Sequence, residues 1–237
     1  MGIVYPVWVL AGFILAQVIA GLSIQGLQAI GVPFGNVNPA ILSTSVAAII
    51  YLLSIGIVIG LPWWIKKFRT TKEEIGLHRF PTWTDLLLAP AGFFVYLIIS
   101  AILTALAMQF LTFIDFEQAQ DVGFDQLGQR FEYILAFLAL VVIAPVAEEI
   151  LFRGYLLGKL RKHLPLWISI LVTSILFGAV HLAWNVGIDV FALSIILCLL
   201  RVVSKSLWPS ILLHMLKNGI AFYFLFINPL LLTTLGG

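Results

Sequence analysis

Residues 133–157 read YILAFLALVVIAPVAEEILFRGYLL and carry no charge except Glu148, Glu149 and Arg153. A helix needs about 20 mostly apolar residues to cross about 30 Å of hydrocarbon, so this stretch reads as a membrane span with charge inside it. Working outward, further apolar runs bring the expected spans to seven, at roughly 4–30, 40–65, 85–113, 131–158, 165–183, 187–203 and 207–228. No segments of alternating apolar and polar residues occur, which excludes an outer-membrane barrel. Lipid then leaves helices as the architecture that satisfies every backbone group. The expected fold class is all-α, a polytopic transmembrane helical bundle of about seven spans, with six to eight as the range.

Composition agrees with the spans. The chain has 237 residues, of which 62% are hydrophobic and 10% charged, and its mean hydropathy is +1.10. A soluble domain carries roughly 25% charged residues. The net charge of +2 comes without a basic face or stripe, so nucleic acid is excluded as a partner. Cys198 is the single cysteine, which rules out an intrachain disulfide and a cysteine-based zinc cluster. No repeat or linker divides the chain, so 1–237 is expected to form one membrane domain, with 131–228 supplying its chemistry. The first apolar run is too long for a signal-peptide core and has no basic residue before it, so Met1 is expected to be the mature start.

Cytoplasmic loops retain Lys and Arg. Lys66, Lys67, Arg69, Lys72 and Arg79 fill the second connection, Lys159, Arg161 and Lys162 the fourth, and Arg201 with Lys205 the sixth. The third carries Asp115, Glu117, Asp121 and Asp125. The even-numbered connections are therefore expected in the cytoplasm, with the N-terminus inside. Within the second connection, Lys72-Glu73-Glu74-Ile75 followed by Gly76 and Pro81 reads as a short interfacial helix ending in a turn.

Ionisable groups inside spans cost a few kcal/mol or more and mark function by default. Glu149 and Arg153, four apart, share a helix face and can pair, while Glu148 is rotated by about 100° and can face another partner. A partly desolvated Glu148 beside a like charge would be pushed toward the range useful to a general base. Phe177 and His181 on the fifth span repeat the spacing of four, as do His214 and Asn218 on the seventh. At 1.5 Å per residue, Glu148 lies about 15–20 Å and His181 about 20–25 Å from the Lys159–Lys162 loop, and His214 and Asn218 about 10–20 Å from Lys205, which permits one cavity near mid-membrane.

Blander readings stand beside these. Glu149–Arg153 alone fits a structural ion pair, and a single intramembrane histidine fits an interhelical hydrogen bond. Phe177 reads as packing, Lys217 as a snorkelling cation, Asp189 as a cap of the sixth span, and Arg201 and Lys205 as topology anchors.

Taken in order, Glu148-Glu149-(three residues)-Arg153, Phe177-(three)-His181 and His214-(three)-Asn218 resemble the three motifs of the CAAX-protease and bacteriocin-processing family of intramembrane proteases, which includes the type II CAAX prenyl endopeptidase. The resemblance covers residues 140–227, with Ala144-Pro145 and Arg153-Gly154-Tyr155-Leu156 in the same style, and Glu73-Glu74-Ile75-Gly76-Leu77 resembles the family's pre-span element. It implies an endopeptidase cutting near the C-terminus of a lipidated or membrane-associated peptide. Glu148 then resembles the base that activates water, His181 the residue that helps hold it, and His214 with Asn218 the oxyanion-stabilising pair, supported by Glu149 and Arg153. Such a set supplies what peptide hydrolysis needs, a deprotonated water, oxyanion stabilisation and a proton for the leaving amine.

The same resemblance admits a metal-dependent route, with Glu148, His181 and His214 as ligands of a divalent ion such as zinc. No HExxH occurs, which weighs against a conventional zincin, and no GxSxG supports a serine nucleophile. The preferred mechanism is glutamate-activated water, which requires no metal. Partners are then a peptide or lipidated protein substrate and membrane lipid, and no oligomeric state follows. The alternatives are an ion- or proton-coupled transporter using the same Glu/His set, and a non-proteolytic family member acting as a binding or immunity protein.

Overall fold

Backbone polar groups in hydrocarbon must bond within their own segment, and the computed structural model shows helices accordingly, with no strand among the described residues, which are 4–66, 68–116, 124 and 127–230. Met1, Lys67 and the acidic residues Glu117, Asp121 and Asp125 lie outside them. The helices are α1 (Val4–Ala29), α2 (Pro39–Lys66), α3 (Lys72–Ile75), α4 (Trp83–Phe110), α5 (Arg130–Leu160), α6 (Leu166–Ala179), α7 (Trp184–Ser204) and α8 (Trp208–Ile227). Six of them are long and apolar enough to cross a membrane; α6, apolar but shorter, has 14 residues. This is an integral membrane protein of the polytopic helical class.

Local chemistry explains the boundaries. Asn38 caps α2 by accepting from the Ala40 and Ile41 amides, with Pro39 at the first helical position. Thr71 and Glu74 form a reciprocal capping box on α3, which Gly76 ends at φ 92° in the left-handed region, as the charge pattern and glycine predict. The helix α5 is π-widened over Leu138–Ile143 and Ile150–Leu156, so Glu148 and Glu149 sit on the α-helical turn between the two. Pro145 lacks an N–H and would crowd the carbonyl four residues back in a regular helix; the widening just before it relieves that clash.

The expected fifth span, 165–183, is shorter than its apolar run. After Ala179 the His181 and Leu182 amides bond to Gly178 and Ala179, three residues back, and Leu182 takes φ 58°. His181 therefore lies in the turn after α6 and not on the helix itself, while its ring still meets that of Phe177. The α-helical ladder simply tightens and stops before the run does.

The chain divides into two compact units. The first comprises Met1–Val7, Thr70–Asp121 and Glu149–Leu216, the second Trp8–Arg69, Val122–Glu148 and Lys217–Gly237. In the first, Ala89 and Tyr96 of α4 pack on Ala192, Leu193, Ile196 and Leu197 of α7. The start of α8 is tied in by Ser210 donating to the Leu197 carbonyl (2.9 Å) and the Trp208 indole donating to the Arg79 carbonyl (2.7 Å). Small residues let backbones meet, as membrane helices require: a Cβ on Gly178 of α6 would stand 2.8 Å from the Gly187 carbonyl oxygen of α7. In the second unit, Gly12 of α1 faces Val58 of α2, the Trp8 indole donates to the Val58 carbonyl (3.0 Å), and Asn38 donates to Glu132 of α5 (2.6 Å).

The Gly178 contact yields a prediction. Gly178→Ala is expected to destabilise by about 1–3 kcal/mol, because the obstructing atom is backbone and only a helix shift makes room. Gly21→Ala, with nothing within 4 Å, is expected to leave thermal unfolding in detergent unchanged or slightly improved. Equal melting of the two variants would contradict the close approach.

Candidate active site

Four residues apart, Glu149 and Arg153 meet as expected. In the first unit the Arg153 Nη1 donates to Glu149 Oε1 at 2.7 Å, and both side chains are fully buried. A second donor reaches the same oxygen: His214 Nδ1, at 3.0 Å. A carboxylate oxygen can only accept, so Nδ1 carries the hydrogen. His181 Nδ1 likewise carries a hydrogen, because it lies 2.8 Å from the Phe177 carbonyl oxygen, again an acceptor only.

Phe177 sits between these groups. Its ring has the Arg153 guanidinium at 4.2 Å from the centroid and meets the rings of His181 and His214 edge-on at 5.1 and 5.8 Å. It is completely buried. The packing expected of Phe177 is thus also what braces both imidazoles and stacks on the cation.

In the second unit, Glu148 Oε1 accepts a hydrogen bond of 2.5 Å from the Tyr51 hydroxyl of α2. Asn218 commits one amide N–H to the Leu140 carbonyl of α5 at 2.9 Å, which fixes the orientation of the carboxamide. The adjacent carboxylates do take different partners, Tyr51 for one and the Arg153–His214 pair for the other.

Asp189 departs from expectation. The helix α7 begins at Trp184, so Asp189 lies past its first turn and does not cap it. Its carboxylate accepts from the Tyr96 hydroxyl (2.7 Å) and Ser100 hydroxyl (2.6 Å) of α4, clasping α4 to α7. Nearby in the same unit, α4, α6 and α7 line an open apolar cavity of about 830 Å³ walled by Leu106, Phe110, Ile175, Leu182, Ile188 and Phe191. That volume is in the ligand-pocket range of about 300–1,000 Å³. Leu182, on its wall, follows His181 directly.

Sequence reasoning missed Tyr51, the Glu149–His214 bond and the Tyr96/Ser100 clasp. A polar group within an apolar span was the available signal: Tyr96 and Ser100 are four apart on α4, and Tyr51 lies within the apolar stretch 46–53. Among the described residues no group of three or more His, Cys, Asp or Glu side chains that could hold a metal ion is found.

Comparison with known proteins bears on the part of the chain where these residues lie. Residues 130–220 match the family model described as type II CAAX prenyl endopeptidase, Rce1-like. This segment is similar to the Rce1-like family. An uncharacterized 24.3 kDa protein of Escherichia coli is 34% identical over 89 residues, 35% of this chain and 41% of that one. The membrane-embedded CAAX protease MroQ of Staphylococcus aureus (strain USA300) is 30% identical over 94 residues, 37% of this chain and 38% of that protein. The chain thus spans about two fifths of the length of these relatives. No solved structure matches it. The Rce1-like segment includes every residue of the three motifs, from Glu148 to Asn218.

Proposed function

We propose that the chain is an intramembrane endopeptidase that hydrolyses a peptide bond near the C-terminus of a lipidated or membrane-associated peptide. The observation that carries this reading is the Rce1-like segment at 130–220, which contains Glu148, His181, His214 and Asn218 in motif order on apolar helices and the turn after α6.

In the roles that the family resemblance implies, Glu148 takes a proton from a water that His181 helps to hold. The water oxygen attacks the scissile carbonyl carbon and the C=O bond becomes an oxyanion. His214 and the Asn218 amide stabilise that oxyanion by hydrogen bonding. As the C–N bond breaks, protonated Glu148 returns its proton to the leaving amine, which restores the carboxylate. Glu149 acts through His214: its bond to Nδ1 holds the ring in one orientation, and Arg153 holds Glu149 in turn. Donation to the oxyanion requires a hydrogen on His214 Nε2, so His214 acts as the doubly protonated ring, with the buried Glu149 carboxylate as its counter-charge.

The apolar cavity beside Leu182 supports a substrate carrying a lipid chain, since it offers an apolar surface and no charge among its walls. The basic connections after α2, α5 and α7 support a cytoplasmic position for those loops and an inside N-terminus. The reading is tested with purified protein in detergent and synthetic peptides, prenylated or unmodified at a C-terminal cysteine, with product masses as readout. Prenylated peptides are expected to be cleaved at least tenfold faster in kcat/KM, and activity to survive chelation. Equal rates would overturn the lipidated substrate class, and loss of activity on chelation restored by zinc would overturn the metal-free route.

A further inference from the structure

The first unit contains a second cavity, of about 240 Å³, where α3 meets the ends of α5 and α7, and none of Glu148, Glu149, Arg153, Phe177, His181, His214 or Asn218 lines it. Lys159, Arg161, Lys162 and Arg201 line it, with Glu74 as the single carboxylate. Both lysines are bound to that carboxylate, Lys162 at 2.6 Å and Lys159 at 3.4 Å. The Lys162 ammonium, with Lys159 behind it, holds the Glu74 carboxyl below its usual range, so Glu74 stays ionised and is already shared between two cations.

The two guanidiniums are left over. Arg161 has no hydrogen-bonded or ion-paired partner among the described residues, and Arg201 donates from Nη2 only to a neutral group, the Glu74 backbone carbonyl, at 3.0 Å. Arg201 Nε is buried and bonds to nothing among the described residues. The two arginines also lie close enough for their like charges to interact. A buried guanidinium N–H without an acceptor is expensive, yet the backbone is shaped around this one: a Cβ on Gly76 would stand 2.7 Å from the Arg201 Cζ. Cations near the C-terminal ends of α5 and α7 suit the helix dipoles, but dipoles explain neither the orphaned Nε nor two arginines brought to one cavity. An oxyanion with several acceptor oxygens explains both, because a guanidinium fork matches phosphate geometry. Basic pockets between membrane helices, at the level where helices end, are where phospholipid headgroups are held.

We infer that this cavity binds a phosphate group, held by Arg161 and Arg201 with help from the Lys159–Lys162 pair, and that in the membrane the group belongs to an anionic phospholipid. The site is separate from the proposed catalytic residues, none of which lines it.

The test uses the full chain in nanodiscs of phosphatidylcholine, with or without phosphatidic acid, reading thermal unfolding and the lipid retained in native mass spectra. Phosphatidic acid is expected to be retained selectively by the wild type and to raise its melting temperature. Arg201→Gln and Arg161→Gln are each expected to weaken that retention about tenfold, as loss of a charged fork implies. Arg161 is exposed, so its replacement leaves packing intact if Arg201→Gln fails to fold. Lys205→Gln, a nearby cation that does not line the cavity, is the control and is expected to bind as wild type. Inorganic phosphate forms the second arm: displacement of the lipid at millimolar phosphate would support the anion site while assigning it to a soluble phosphate. Retention unchanged in Arg161→Gln, or no preference for phosphatidic acid over phosphatidylcholine, would overturn the inference.

Discussion

Replacing Glu148 by Gln is expected to reduce kcat for peptide cleavage by about 10²–10⁴-fold or more, the range that general acid–base groups supply, with the helices and their stability retained. The carboxamide is isosteric, and its oxygen can still accept the bond that Tyr51 donates to Glu148 Oε1. What it cannot do is take a proton from water and return it to the amine. Because Tyr51 remains satisfied, thermal unfolding of Glu148→Gln in detergent should match the wild type. Full activity in the variant would remove Glu148 from the mechanism, whereas lost activity with a collapsed melting temperature would make it a structural residue.

The largest effect on stability is expected at Arg153. Its guanidinium is fully buried, bonded to an equally buried Glu149 and stacked on Phe177. Arg153→Ala strands the Glu149 carboxylate in a low-dielectric interior, and breaking a buried pair in this way costs about 3–5 kcal/mol. The double replacement Glu149→Leu/Arg153→Met removes both charges and fills similar space, so it is expected to recover most of the lost stability. It should not recover activity, because His214 Nδ1 then has no carboxylate to hold it. The comparison is a melting curve and a kcat for each variant. An Arg153→Ala protein as stable as the wild type, or an active double variant, would contradict the role given to the pair.

Much of the fold was legible because lipid gives a long apolar run one outcome, the helix. The short α3 was equally readable, since Thr71, Glu74 and Gly76 each perform a terminal function with a known local geometry. Spacing alone predicted Glu149–Arg153, a contact within one helix. Contacts between helices were another matter. Nothing in the neighbourhood of Tyr51 names Glu148 as its acceptor, and Asp189 looks like a cap until α7 is found to begin five residues earlier, at Trp184. His181 shows the same limit at a boundary, because the apolar run continues through Leu182 while the backbone there turns left-handed. Hydrophobicity reports where lipid is, not where the hydrogen-bond ladder stops. The two arginines were visible as charges, but only the cavity shows that its one carboxylate already serves the lysines.

The most direct test of the central claim is cleavage of one prenylated peptide in H₂¹⁸O by purified wild-type protein and Glu148→Gln side by side, read by mass spectrometry. The account predicts that the wild type yields two fragments, with one ¹⁸O in the newly formed C-terminal carboxylate, and that Glu148→Gln leaves the peptide intact. Cleavage by Glu148→Gln at the wild-type rate would contradict it, as would a wild-type protein that leaves every lipidated peptide whole while moving ions across a bilayer.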